Sequence, residues 1–129
     1  MIYLDSCMLI YALEDSGSRG ELVRARLAEA GSTTVAISPL VALECTVGPL
    51  RAGDLVLRDS YLSAFEKFRM LPLNVETFLR AAELRANNGL ATPDAIHLAA
   101  AQLNACTQFW TNDARLAKAS HGLAVDLLR

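Results

Sequence analysis

Short apolar runs that recur along the chain, each followed by a longer stretch of helical pattern, constrain its fold more than any other feature. Ile2-Tyr3-Leu4 is the first, β-branched Thr34-Val35-Ala36-Ile37 the second, Met70-Leu71-Pro72-Leu73 a short extended third and Gln108-Phe109-Trp110 the fourth. Helical patterns run from Cys7 to Leu13, Arg19 to Ala30, Leu40 to Val47, Asp54 to Phe68, Val75 to Ala86 and Asp94 to Asn104. Strands separated by helices do not pair as hairpins. They pair in parallel, with the helices covering the sheet. The expected fold is therefore α/β, with a mainly parallel central sheet of four to five strands in which Ala124-Val125 is a candidate edge.

Local signals punctuate this pattern. Ser38-Pro39 and Thr92-Pro93 each read as an N-cap followed by proline at the first helical position. Gly31-Ser32, Gly48-Pro49 and Asn87-Asn88-Gly89 read as helix stops. Asp54 to Phe68 reads as the longest amphipathic helix, with Leu55, Leu62, Phe65 and Phe68 among its apolar residues. With no repeat, linker or low-complexity tract, residues 1–129 are expected to form one domain.

The residues that stand out chemically are acids at the junctions. Asp5, Glu44, Asp94 and Asp113 each lie near the start of a helical segment, and in three cases an apolar strand comes just before. In a parallel sheet those junctions converge on one edge, where open α/β proteins bind ligands. Taken singly, three of the acids are explained by capping or the helix dipole. Glu44 is not: it lies in the second turn of a segment, Leu40 to Val47, that carries no other charge. Four acids brought together repel unless a cation holds them. Carboxylates plus water make the oxygen-rich shell that Mg²⁺ or Mn²⁺ prefers. Ser6 and Thr111, each within two residues of an acid, are candidates to orient ligands or water, with plain capping as the alternative.

Charge and cysteine content bound the remaining classes. The 14 acids against 12 Lys and Arg give a net charge of −2; without the four candidate ligands the balance turns mildly basic, which permits a nucleic-acid substrate. Three cysteines at irregular spacing, with no CxxC pair, make zinc a poor fit and suit reduced, packed thiols in a cytoplasm. No secretory signal and no membrane-spanning run is evident.

The strings Tyr3-Leu4-Asp5-Ser6, Ser38-Pro39-Leu40-Val41-Ala42-Leu43-Glu44, Thr92-Pro93-Asp94-Ala95-Ile96-His97-Leu98-Ala99-Ala100-Ala101 and Thr111-Asn112-Asp113 occur in the order seen in PIN-domain ribonucleases. Over nearly its whole length the chain resembles that family, in particular the VapC toxins of toxin–antitoxin pairs. The resemblance implies a three-layer α/β/α PIN-like fold and a single nuclease domain over residues 1–129. It further implies Mg²⁺- or Mn²⁺-dependent hydrolysis of RNA, homodimers, and neutralisation by a small VapB-like antitoxin. In that reading Asp5 and Asp94 are the most direct metal ligands, and Glu44 and Asp113 complete the shell or position water.

Other residues are weaker candidates. Arg51, Arg58, Arg69, Arg85, Arg115 and Lys118 could meet phosphates, and Arg85, Arg115 and Lys118 are best placed, though a solvated helix face explains each as well. His97, one turn after Asp94, could face the site; a packed or surface imidazole is the expectation. Cys7, Cys45 and Trp110 read as core. Tyr61, Leu62 and Phe65, with Leu9, Ile10, Leu13 and Leu22, carry more apolar surface than one small sheet needs, which suits a partner helix in a groove. The alternatives are a PIN-type nuclease for RNA processing rather than a toxin, a phosphotransferase using Asp5 as nucleophile, and a non-enzymatic regulatory module. A haloacid-dehalogenase-type nucleophile wants a second aspartate where Cys7 stands. The chain also lacks a basic recognition helix, so direct DNA binding without an antitoxin is not expected.

Overall fold

The computed structural model describes residues 1–128. In chain order its elements are β1 (Ile2–Leu4), α1 (Ser6–Glu14), α2 (Ser18–Ala30), β2 (Val35–Ile37), α3 (Pro39–Ala52), α4 (Leu55–Phe65), β3 (Arg69–Met70), α5 (Val75–Asn88), α6 (Thr92–Leu103), β4 (Gln108–Trp110), α7 (Ala114–Ala119) and β5 (Ala124–Val125). The strands form one sheet in the order β3-β2-β1-β4-β5, every pairing parallel. The chain moves outward from β1 to β2 and β3, then crosses back to β4 and β5 on the other side. Because parallel crossovers are right-handed, α1 to α4 cover one face and α5 to α7 the other. Packing divides the same way, α1 against α2 and α3, α3 against α4, and α5 against α6. This is the α/β architecture expected from the alternating pattern.

The central strand β1 is buried along its length, and Tyr3 pairs with Ala36 on one side and Phe109 on the other. The strand order reverses between β1 and β4, which leaves a crevice at their carboxyl ends. Trp110 and Cys45 are core as expected, whereas Cys7 is only half-buried. Burial pushes the Cys7 and Cys45 thiols up to about 12, so neither is a reactive thiolate at neutral pH. All three cysteines are free.

Four local expectations give way to packing. Helix α3 continues through Gly48-Pro49 to Ala52 and ends on Gly53, which is left-handed at φ 67°. Proline inside a helix forfeits a hydrogen bond and crowds the preceding residue, but here that residue is glycine, with no Cβ to clash, and Pro49 buries its ring. Helix α4 has 11 residues against 14 in α3 and α5, so it is not the longest. Its buried face carries Tyr61 and Phe65, while Leu55 and Leu62 are exposed. The third strand lies at Arg69–Met70, not over Met70 to Leu73, and Thr92 falls inside α6, whose N-cap is Ala91.

Helices α1 and α2 interlock where the first ends. Arg24 donates from Nη1 to the carbonyls of Ala12 (3.0 Å) and Asp15 (2.8 Å), supplying donors that the end of α1 lacks. One turn earlier on α2, Gly20 passes so close that a Cβ there would lie 1.8 Å from the Asp15 carbonyl oxygen. On the same side of the sheet, Tyr61 donates its hydroxyl hydrogen to the Glu14 carboxylate, tying α4 to α1.

Candidate active site

Two of the acids, Asp5 and Asp113, are N-caps, whereas Glu44 lies in the second turn of α3 and Asp94 in the first turn of α6. Asp5 follows β1 and caps α1: its Oδ1 accepts the Ser6 amide at 2.8 Å. Its Oδ2 accepts the Thr111 hydroxyl at 2.8 Å, a bond that spans the crevice between the ends of β1 and β4. Both Asp5 and Thr111 are buried, so the carboxylate is held in one orientation by two charge-assisted bonds. Thr111 thus meets Asp5 through its side chain. Ser6 contributes its backbone amide rather than its hydroxyl.

Glu44 is brought inward from α3 by the Ser38-Pro39 start. Its Oε1 lies 2.5 Å from His97 Nε2, and the same nitrogen lies 3.8 Å from Asp5 Oδ1. One donor atom each from Asp5, Glu44 and His97 therefore falls within a 4.8 Å cluster. Asp94 and Asp113 are not part of that tight group. Asp94 is linked to it electrostatically, and Asp113 acts on Asp94: the Asp94 carboxyl is held above its usual value first by burial, then by the charges of Asp113 and Asp5, with His97 opposing and Glu44 adding to the rise. Asp113 also does what capping predicts, accepting the amides of Arg115 (2.8 Å) and Leu116 (3.4 Å).

No lysine or arginine forms an ion pair with any of these four acids among the described residues; His97 alone does. Carboxylates gathered in this way, with a single imidazole and no lysine or arginine beside them, are an environment that a divalent cation relieves. The donor set is oxygen-rich and suits Mg²⁺ or Mn²⁺ better than the softer metals.

His97 is the residue that sequence reasoning undervalued. It is packed, as expected, at 1% exposure, yet it also faces the acids. Its Nδ1 lies 2.7 Å from the Tyr3 hydroxyl, which lies 2.8 Å from Ser38 Oγ. Ser38 occupies its predicted N-cap position without making a side-chain cap bond; its hydroxyl turns to Tyr3 instead. The available signal was a tyrosine in a wholly buried strand, whose hydroxyl must find a partner.

The candidate phosphate contacts separate. Arg115 and Lys118 line a cleft with Asn87, Asn88 and Ala119, beside the turn that carries Asp113. Arg85 spends its Nε hydrogen on the Leu90 carbonyl (3.0 Å), holding the loop that leads into α6.

The family model for the PIN domain matches residues 2–122. No curated protein matches significantly. Among solved structures, a toxin–antitoxin complex from Klebsiella pneumoniae is 26% identical, with 98% of each chain covered and a TM-score of 0.80. FitAcB from Neisseria gonorrhoeae is 21% identical over 98% of each chain, with a TM-score of 0.83. VapC20 of Mycobacterium tuberculosis, described as a toxin that cleaves the sarcin–ricin loop, is 14% identical over 92% of this chain and 95% of that one, with a TM-score of 0.78.

Proposed function

Because the chain belongs to the PIN-domain family, we propose that it is a metal-dependent endoribonuclease acting as the toxin of a toxin–antitoxin pair. The observation that carries this reading is the convergence of Asp5 and Glu44 on one crevice, with Asp94 in the field of both and of Asp113, and no lysine or arginine paired to any of the four among the described residues. Asp5 and Asp94 would hold Mg²⁺ or Mn²⁺ most directly, with Glu44 and Asp113 completing the shell or positioning water. The ion, when bound, lowers the pKa of a water and offsets negative charge on a phosphoryl oxygen. The chain's own contribution is orientation. Thr111 and the Ser6 amide fix both oxygens of Asp5. Asp113 is anchored at the start of α7, and Arg115 and Lys118 offer positive charge to the RNA backbone nearby. Hydrolysis by in-line attack of water would leave 5′-phosphate and 3′-hydroxyl ends.

Purified protein incubated with RNA and Mn²⁺ should cleave it; EDTA or Asp5→Asn should reduce the rate at least about a hundredfold. Equal cleavage by wild type and variant would end the assignment. An RNA-processing nuclease without an antitoxin is the second reading, and the groove on the α1–α2–α4 face separates the two.

That groove is lined by Leu9, Leu13, Leu27, Ala28, Ala64 and Phe68, with Arg24, Lys67 and Arg69 among its remaining residues and no acid. It suits an antitoxin segment that is apolar with acidic flanks. Ala28 is exposed, so Ala28→Glu should leave folding and cleavage intact. If a short reading frame beside this one encodes an antitoxin, the variant should bind that protein about thirtyfold more weakly or worse, measured by titration calorimetry. On α5, Val75, Phe78 and Leu79 are exposed at helical spacing, a face suited to the homodimer expected from the family.

A further inference from the structure

The buried chain Ser38–Tyr3–His97–Glu44 carries an inference that rests on the nuclease reading and extends it. These four residues come from three parts of the fold: Tyr3 from β1, Ser38 and Glu44 from the start and second turn of α3, and His97 from α6. Successive polar atoms lie 2.8, 2.7 and 2.5 Å apart. No buried side-chain nitrogen or oxygen among the described residues lacks a partner. We propose that His97 is a positioning residue for the acidic site, and that its Nε2–H holds Glu44 in the orientation from which that carboxylate serves a divalent cation.

The direction of each bond follows from what each group can do. An ionised glutamate only accepts, so His97 Nε2 carries the hydrogen. Nε2 donates to Glu44 whether the imidazole is neutral or cationic; in the neutral ring Nδ1 accepts from the Tyr3 hydroxyl, and in the cation it donates to it. The Tyr3–Ser38 bond takes the matching direction, Ser38 donating when Tyr3 gives its hydrogen to His97 and accepting when it does not.

His97 Nε2 belongs to the 4.8 Å cluster of possible ligand atoms, yet it is not itself a ligand in this arrangement. At 2.5 Å from Glu44 Oε1 it is hydrogen-bonded, and a nitrogen that carries a hydrogen has no lone pair for a metal. The imidazole therefore occupies one oxygen of Glu44 and leaves the other available. Glu44 needs this restraint because its side chain is 28% exposed, against 11% for Asp5, and Asp5 has two donors of its own. Without His97, the repulsion of the other acids and the open side of α3 would both draw Glu44 toward solvent. Supporting contacts of this kind fix ligand orientation, and their loss typically costs about ten- to a hundredfold in metal affinity.

The test reads metal affinity directly, by Mn²⁺ electron paramagnetic resonance, with thermal melts in EDTA beside it. His97→Phe keeps an aromatic ring against Tyr3 but removes both nitrogens; it should weaken Mn²⁺ binding at least about tenfold. His97→Gln restores a donor toward Glu44 and should recover affinity to within about threefold of wild type. Tyr3→Phe removes only the hydroxyl and should shift affinity in the same direction, by roughly threefold, so the inference stays testable if His97→Phe fails to fold. Wild-type affinity in both Tyr3→Phe and a folded His97→Phe would overturn the inference and leave the nuclease reading standing. So would a Gln variant as weak as the Phe variant, which would mean that packing rather than donation matters. Absence of Mn²⁺ binding by the wild type would overturn both together.

Discussion

Replacing Asp94 by Asn is expected to cut RNA cleavage at least about a hundredfold and, at neutral pH without metal, to raise the melting temperature. The second effect follows from the environment of the carboxyl, which is half-buried and lies in the field of Asp113, Asp5 and Glu44. The folded state binds the Asp94 proton more tightly than the unfolded chain, where the ordinary value of 3.8 applies. The stabilising contribution of this group is therefore complete below that value and is lost as pH rises through the higher folded-state value. An uncharged isostere escapes that loss, so its advantage should be largest near neutrality and fade as pH falls toward 3.8. Differential scanning calorimetry in EDTA at both pH values checks this. Added Mn²⁺ should reverse the ranking by stabilising the wild type and not the variant. A variant less stable than wild type at neutral pH in EDTA would show that the acids do not repel as described.

Gly20→Ala is expected to lower stability by about 3 kcal/mol, or roughly 10 °C in melting temperature. On an ordinary helix surface that substitution helps, because alanine loses less backbone freedom. Here the new methyl group would meet the Asp15 carbonyl oxygen at 1.8 Å and the Tyr11 carbonyl oxygen at 2.7 Å. Both are backbone atoms, so relief requires α1 and α2 to move apart. That movement would also stretch the Arg24 bonds to Ala12 and Asp15. A thermal melt of the variant decides the matter; an unchanged or raised midpoint would mean that the helices separate at little cost.

Much of this was legible in the residues, and the exceptions share a cause. Ile2–Leu4, Val35–Ile37 and Gln108–Trp110 are apolar enough to be strands in any context, and their separation by helices leaves a parallel sheet as the only compact arrangement. The helix through Gly48-Pro49 was not legible, because the usual penalty is local and the burial that offsets it is not. Leu55 and Leu62 look like core residues by composition, and only the docking of α4 through Tyr61 and Phe65 shows which side is covered.

The same division runs through the candidate site. From sequence alone came the four acids, the parallel sheet that could gather them, and an oxygen-donor set of the kind that suits a divalent cation, because residue type and position along the chain determine these. Only the tertiary structure decided how the four divide: Asp5 and Glu44 clustered with His97, and Asp94 outside that cluster in the field of Asp113, Asp5 and Glu44. It also decided that Tyr3, Ser38 and His97 form one buried chain, though positions 3 and 97 lie far apart in sequence. A hydrogen bond reaches only about 3 Å and depends on direction, so its partners are chosen by how helices seat on the sheet. A carboxylate's charge and its oxygen donors, by contrast, come with the residue itself.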